Sequence, residues 1–580
     1  MKKKATMTRI LGYLLRFKGQ LFLILFLSLM GNLLALAGPE ISGTAINFIS
    51  EGAAAGRMDM PLILRCCVFL LFLYISSSVL SYVVNVSMIS LSRKVTYNLR
   101  KEMFNRLVTL PVSFFDRNTT GDILSRISYD IDTINASLAN DVVQVLTSSV
   151  TIAGSLIMMI RICPTLVLIF TVTIPLALVL ASYLTKMVQP MFRARSRAAG
   201  ELNGYVEEMI SGQKTLRAYT QEERVIDEMN VQNKKLVDAY YKTDYYASIM
   251  GPSTNAINNL ALALISIFGA ILYLRGQIDI GGISAFVLYS RKFTGPIREL
   301  AEIYGELQSS LTAAERVFRV LDEEPEPADL PEAEPLANVQ GNVELCHVNF
   351  GYTPEQVILK DFSMKADKGS MIAIVGPTGA GKTTFINLLM RFYDIQSGKI
   401  LVDEKNAALL TRKSLRLAYS MVLQDTWLFY GTIYENIAYG RPEATREEVV
   451  AAAKAAHIHN YIESLPKGYD TLLIDDGANI SKGQKQLLTI ARALLMKTPM
   501  LILDEATSNV DTRTEHQIQA AMRNLMADKT CFVVAHRLST IRNADCILVV
   551  RDGNVVERGT HQELLKKRGF YYEMHQAQYR

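Results

Sequence analysis

Twenty consecutive residues from Thr165 to Leu184, TLVLIFTVTIPLALVLASYL, carry no charge. A run of this length crosses the roughly 30 Å hydrocarbon core of a bilayer as a helix. Hydrocarbon offers no partner for exposed backbone groups, so a helix is the fold such a run permits. Further apolar segments lie near 21–48, 62–86, 138–160, 255–274 and 281–303, the second and sixth diluted by Ser, Tyr and Arg. Six spans are expected, all before residue 321. The remainder of the chain reads as a water-facing α/β protein, so 580 residues divide into unlike halves.

Charge orients the first half. The N-terminus MKKKATMTRILGYLLRFK is basic, as are the long stretches 93–126 and 193–242, whereas EGAAAGRMDM, RICPT and RGQIDIGG are short. The positive-inside rule then places both termini and the two long loops in the cytosol, a pattern that fits a bacterial inner membrane. The long loops are amphipathic with helical periodicity, so the helices should run well past the bilayer. MKKK, an apolar run and ALA-G at 35–38 imitate a secretory leader. Its basic region is too long, however, and cleavage would leave five spans and an external C-terminal half. A first membrane helix is the better reading.

Polar residues in apolar segments are costly against lipid. Asn32, Glu40, Asn255, Asn258 and Asn259 therefore either line a substrate cavity or bond between helices, and the sequence leaves both open. Pro39, Pro175, Pro252 and Pro296 are expected to kink their helices. The net charge of +5 is modest, and no Lys/Arg block interleaves with aromatics, which argues against a nucleic-acid partner. The six cysteines have neither metal nor disulfide spacing and read as reduced.

DEEPEPADLPEAEP, from Asp322 to Pro335, lacks periodicity and reads as an extended linker. The expected domains are a membrane domain over 1–321, a linker over 322–340 and a nucleotide-binding domain over 341–580. In the last, short β-branched runs alternate with helical patterns, as a mostly parallel sheet requires.

The strand Met371 to Val375 runs into Gly376, Pro377, Thr378, Gly379, Ala380, Gly381, Lys382, Thr383 and Thr384, and then a helix. Glycines let backbone N–H groups approach phosphates, and the helix N-terminus adds a favourable dipole. Lys382 is expected to reach the β- and γ-phosphates of ATP, and the Thr383 hydroxyl to ligate Mg²⁺. A second buried strand, MLILDE, ends in two carboxylates. Asp504 suits the Mg²⁺ shell, and Glu505 suits a base for the attacking water. A third strand, CFVVAHRL, delivers His536 at its end; on spacing alone that histidine is more often structural.

These motifs, spread over nearly the whole chain, resemble the ATP-binding cassette (ABC) exporters, as a half-transporter with six membrane helices fused to one nucleotide-binding domain. The resemblance implies that Tyr352 stacks on adenine and that Gln424 senses Mg²⁺ and the membrane domain. DEATSNVD then holds the Walker B motif and a D-loop ending in Asp511. His536 becomes the switch histidine, catalytic alongside Glu505. LPVSFFDRNTTGDILSRISYDID and GQKTLRAYTQEE look like the segments whose coupling helices dock on nucleotide domains.

The family's signature, usually Leu-Ser-Gly-Gly-Gln, falls at Ile480-Ser481-Lys482-Gly483-Gln484. There Ser481, Gly483 and Gln484 would read the γ-phosphate of ATP held by the opposite subunit, so two nucleotide domains sandwich two ATPs. Lys482 departs from the pattern and implies an asymmetric pair with a different half-transporter, in which the partner's ATP meets an altered signature. LLIDDGANIS, lacking the usual Val-Gly-Glu, points the same way, although Asp475 keeps an acid there. The rival is a homodimeric lipid or peptide exporter that tolerates the lysine. The implied activity is ATP-driven export of a small hydrophobic or amphipathic substrate, such as a drug or lipid. An importer, a soluble ABC protein and a protease-bearing peptide exporter fit the chain poorly, while an ATP-gated channel or sensor stays compatible with it.

Overall fold

The computed structural model describes residues 2–353, 356–424, 426–474, 476–504, 511–534 and 541–579. They form two compact units, one of residues 1–108 and 120–323, the other of 109–119 and 324–580.

The first unit is helical. Its main helices are Lys18–Ala54, Met60–Thr109, Ile131–Ile162, Pro164–Ser211, Glu222–Ser248, Met250–Leu274 and Ile280–Leu321. Met60–Thr109 alone has 50 residues, about 75 Å at 1.5 Å per residue, so the helices far outrun a bilayer as their periodicity predicts. Among the described residues five stretches are long and apolar enough to cross a membrane: Lys18–Ala54, Met60–Thr109, Thr120–Ile162, Pro164–Ser211 and Glu222–Leu274. The sixth expected segment does form a helix, Ile280–Leu321. Arg291, Lys292, Arg298, Glu299 and Glu302 dilute it, so by apolar length alone it falls outside the set.

Pro39, Pro175 and Pro296 lie inside helices, as expected. Pro252 instead occupies the first turn of Met250–Leu274, where a missing N–H costs nothing. At Pro39 the lost N–H frees the Ala35 carbonyl four residues back. Lys292 donates to it at 2.9 Å, and the buried Tyr289 hydroxyl donates to Leu36 O at 2.7 Å. Where Gly43 meets Gly281 the helices come so close that a Cβ on Gly43 would lie 2.5 Å from the Gly281 carbonyl oxygen, the small-residue contact that membrane helices favour.

Asn32 is a packing residue. Its Nδ2 donates to Thr147 O at 2.7 Å, and its Oδ1 accepts from Thr151 at 3.0 Å. Glu40, Asn255 and Asn259 are exposed in the single chain, and Asn258 is half-buried.

A π-helical turn, Arg126–Asp130, interrupts the helix leading into Ile131–Ile162 and buries Asp130. Arg316 grips that carboxylate with two donors, Nε at 2.8 Å and Nη2. Arg316→Leu would strand a buried charge, and the expected loss is about 2 kcal/mol, discounted because the arginine end is half-exposed. Thermal melting in detergent checks this: a fall in Tm that Asp130→Asn largely restores is expected, and an unchanged Tm would count against it.

Among its described residues the second unit holds twelve strands: β1 Val343–Phe350, β2 Leu359–Ala366, β3 Met371–Val375, β4 Ser397–Val402, β5 Lys405–Asn406, β6 Tyr419–Val422, β7 Gly431–Thr432, β8 Leu472–Leu473, β9 Met500–Asp504, β10 Thr530–Val534, β11 Cys546–Arg551 and β12 Asn554–Gly559. The order β12-β11-β3-β10-β9-β6 makes one sheet, parallel except for β12. β2-β1-β4-β5 make an antiparallel sheet. The central strands are buried on both faces, which is why they read as continuous apolar runs. Two cores result. One packs Phe362, Phe385 and Phe532 beneath the antiparallel sheet; the other packs Leu487, Ile490, Ile437 and Ile462 among the helices.

The linker is extended, as its composition predicts, but it is not a free tether. Glu326 pairs with Arg416, Asp329 bonds Arg412 at 3.3 Å, and Glu326 N donates to Thr109 O at 2.9 Å.

Candidate functional site

β3, β10, β9 and β6 run parallel and end level. Val534 is in register with both Ile374 and Asp504, and Val422 is in register with Leu503. Each strand hands its next residues to the same edge: Gly376 after β3, Asp504 at the end of β9, Gln424 shortly after β6. Neighbouring strands are about 4.8 Å apart, so the loop after β3 lies roughly 10 Å from the end of β9, a span that a triphosphate can bridge. Ligands of parallel α/β sheets bind at this carboxyl edge. Glu505 and His536, the expected catalytic pair, lie outside the described residues, as do residues 535–540 and 505–510 generally.

Gly379 and Gly381 take φ of +84° and +102°, the left-handed region that a side chain resists. A Cβ on Gly381 would also meet the Leu359 side chain at 2.8 Å. Gly381 caps the helix Lys382–Leu389, whose free N–H groups and dipole face the turn. Lys382 is only 7% exposed, and its ammonium curls back to Gly376 O at 2.8 Å and Pro377 O at 3.1 Å. Thr383 is exposed at the helix start, while Thr384 and Ala380 are buried. The cradle thus fits a polyphosphate. Thr383 at the helix start, Asp504 at the end of β9 and Gln424 shortly after β6 carry hard oxygens of the kind Mg²⁺ takes alongside phosphate. Among the described residues no cluster of three His, Cys, Asp or Glu offers a self-contained metal site.

Tyr352 stands beside this cradle. Its hydroxyl lies 3.2 Å from both Thr384 Oγ1 and Asn387 Nδ2, and its ring meets Tyr393 edge-on at 5.0 Å. The structure therefore sets Tyr352 against the helix that follows the β3 loop, and puts that loop, Asp504 and the segment leading to Gln424 at the same carboxyl edge.

Ser481, Gly483 and Gln484 belong elsewhere, at the start of the helix Lys482–Leu495, which buries its apolar face in the other core. Ser481 caps it, accepting from Gln484 N at 3.3 Å while Gln484 Oε1 accepts from Ser481 N at 2.8 Å. The first turn contains no acid and does contain exposed Lys482, whose charge opposes the helix dipole. Asp511 caps the helix Thr512–Met526, and the Thr514 N–H it accepts at 3.0 Å holds its carboxyl below the usual range.

Arg492 escaped the sequence reading. It lies on the Ser481-capped helix and donates to Asn436 O at 2.9 Å and Trp427 O at 3.1 Å, with the Tyr439 ring at 5.4 Å. Burial lowers its pKa from the ordinary value, yet a guanidinium stays charged. It ties the segment after Gln424 to the Ser481 helix. Only an unpaired arginine amid apolar residues in LTIARALL hinted at it.

Fold and site define a P-loop ATPase domain joined to a helical membrane domain. Residues 21–297 match the ABC transporter transmembrane region, and residues 359–508 match the ABC transporter ATPase domain. A fatty acid ABC transporter ATP-binding/permease protein of Mycobacterium bovis is 45% identical over 90% of this chain and 82% of its own length. An ATP-dependent lipid A-core flippase of Hahella chejuensis is 34% identical over 98% of this chain and 97% of its own. The solved structure of a bacterial Atm1-family ABC exporter with ATP bound superposes with a TM-score of 0.77 at 29% identity, covering 97% of this chain and 98% of that one. The chain belongs to the ABC transporter family, in its exporter form, and is an ATPase coupled to transport across a membrane.

Proposed function

We propose that this chain, with its membrane domain over 1–321 and nucleotide domain over 341–580, is half of a dimeric exporter of amphipathic substrates such as fatty acids, lipids or drugs. Both termini face the cytosol, in a bacterial inner membrane. ATP with Mg²⁺ would lie on the loop after β3, with Lys382 on the phosphates, Thr383, Asp504 and Gln424 around the ion, and Tyr352 against adenine. Glu505 would take a proton from the attacking water, and His536 would steady the γ-phosphate. The observation that supports this reading is the level carboxyl edge of β3, β10, β9 and β6, to which the β3 loop, Asp504 and the segment leading to Gln424 belong. The names of the relatives support the substrate class.

Separate cores for the β3 loop and the Ser481 helix support closure of each ATP site by a second nucleotide domain. Lys482 favours a different chain as that partner. It adds a long side chain beside the backbone that would meet phosphate, so the partner's ATP would be hydrolysed slowly. Lys482→Gly is then expected to raise turnover of the purified complex about two- to fivefold, with the gain confined to the partner's site. An unchanged rate, or a native mass of two identical chains, would favour the homodimer.

The direct test is ATP-driven accumulation of a fluorescent long-chain fatty acid and of a hydrophobic dye in inverted vesicles. Accumulation that disappears with Glu505→Gln supports export. ATP hydrolysis without accumulation of either probe would favour a channel or sensor.

A further inference from the structure

Lys292 stands where a membrane helix can least accept a charge. The helix Ile280–Leu321 starts at the short connection RGQIDIGG, capped by Asp279, which accepts from Gly282 N at 2.7 Å. From Ile280 to Lys292 the axis rises about 18 Å, past the middle of a hydrocarbon core roughly 30 Å thick. Ionisable residues at that depth pair with one another or mark the path of a substrate. Among the described residues the Lys292 ammonium has one hydrogen-bond partner, Ala35 O at 2.9 Å, and no ion pair.

The carbonyl freed by Pro39 does not explain the charge. Leu36 O, the next carbonyl of the same helix, is met by the neutral hydroxyl of Tyr289 at 2.7 Å. A neutral donor would have served Ala35 O equally well, with no charge to desolvate. Nor do the acids further along the helix neutralise Lys292. Glu299 accepts from Gln144 at 2.6 Å and from Ser148 at 3.1 Å, and Glu302 lies 3.8 Å from Arg298. Arg291, adjacent and exposed in the single chain, adds a second positive charge without an ion pair among the described residues.

We propose that Lys292 is a specificity-determining residue, the counter-charge for the acidic head of an amphiphile: a carboxylate or phosphate on a hydrocarbon tail. The proposal rests on the reading of this chain as an exporter of amphipathic substrates, and it narrows that class to acids. An ammonium has three donors, so two remain once Ala35 O is met. A neutral acceptor orients a cation without cancelling it, and an anion binds the same donors more strongly. The buried Tyr289, on the preceding turn, ties the two helices at Leu36 and fixes the base from which the lysine reaches. An acidic head therefore relieves an isolated charge while its tail stays in apolar surroundings. A cationic head on the same tail meets repulsion.

Two probes with one fluorophore and one tail, ending in phosphate or in trimethylammonium, separate charge from hydrophobicity. With the full complex in inverted vesicles, ATP-driven uptake of the alkyl phosphate should be saturable. Lys292→Gln keeps a donor for Ala35 O and removes the charge. It should raise KM for the alkyl phosphate about tenfold, the scale of a lost hydrogen bond to a charged group, and leave uptake of the alkyl trimethylammonium no weaker than in wild type. Lys292→Arg should keep alkyl phosphate uptake within about threefold. If Lys292→Gln handles the alkyl phosphate as wild type does, or loses both probes equally, Lys292 serves packing and the proposal is wrong while export stands. Wild-type uptake of the trimethylammonium probe alone would also overturn it. Uptake of neither probe would remove the export reading, and this proposal with it.

Discussion

Lys382→Ala is expected to lower ATP turnover at least about a hundredfold and ATP affinity about tenfold, with little change in thermal stability. The side chain is nearly buried at the start of the helix Lys382–Leu389, and its ammonium rests on two loop carbonyls at 2.8 and 3.1 Å. Neutral carbonyls are modest partners for a cation. Phosphate oxygens carry a full negative charge that the loop carbonyls lack, so they would hold the ammonium more strongly from the same position. The alanine removes that charge but leaves the glycine turns intact, because Gly379 and Gly381 owe their conformation to backbone freedom. Lys382→Arg should fare little better, since a planar fork cannot follow the curled path to Gly376 and Pro377. Phosphate release by the purified complex, with melting curves as the folding control, checks both variants. Turnover above a tenth of wild type in a normally melting Lys382→Ala complex would remove Lys382 from the site.

That loop was legible in the sequence because its chemistry is local. Strand, glycines, lysine and helix follow each other within about 20 residues, and each residue type answers a backbone or charge demand at its own position. The alternation of short buried strands likewise announced the parallel sheet, and six apolar segments announced the helices.

What the sequence hid is long-range. The Tyr393 hydroxyl donates to Asp116 across 277 positions, and no pattern in either neighbourhood names the other. Lys292 reads as a flaw in an apolar segment until Pro39 is seen to orphan a carbonyl facing it. The acidic linker reads as a tether because Glu and Pro resist regular structure, yet Arg412 and Arg416 turn its carboxylates into anchors. Nor could spacing say that Asn32 is spent on Thr147 and Thr151 rather than on a ligand, since both uses demand the same residue at the same depth.

Glu505→Gln is expected to abolish nearly all turnover, by about 10²- to 10⁴-fold, while ATP affinity stays within about twofold of wild type. β9 ends at Asp504, and the roles proposed for Asp504 and Glu505, metal ligand and base, differ in their chemistry. Asp504 is half-buried on the sheet's carboxyl edge, and with Asp504 as the proposed metal ligand, Asp504→Asn should raise the Mg²⁺ concentration needed for half-maximal turnover. Glutamine at 505 keeps the volume and a hydrogen-bonding oxygen but cannot accept the proton of water, so binding survives and chemistry stops. Measuring rate against Mg²⁺ for both variants separates the roles. Failure that excess Mg²⁺ does not repair marks a lost base, and failure that it does repair marks a lost ligand. Should Glu505→Gln be repaired by Mg²⁺ or retain a tenth of wild-type turnover, the base must be sought elsewhere. If the complex is asymmetric, this substitution in one chain alone suffices to stop the pump, because the other ATP faces Lys482 and was contributing little.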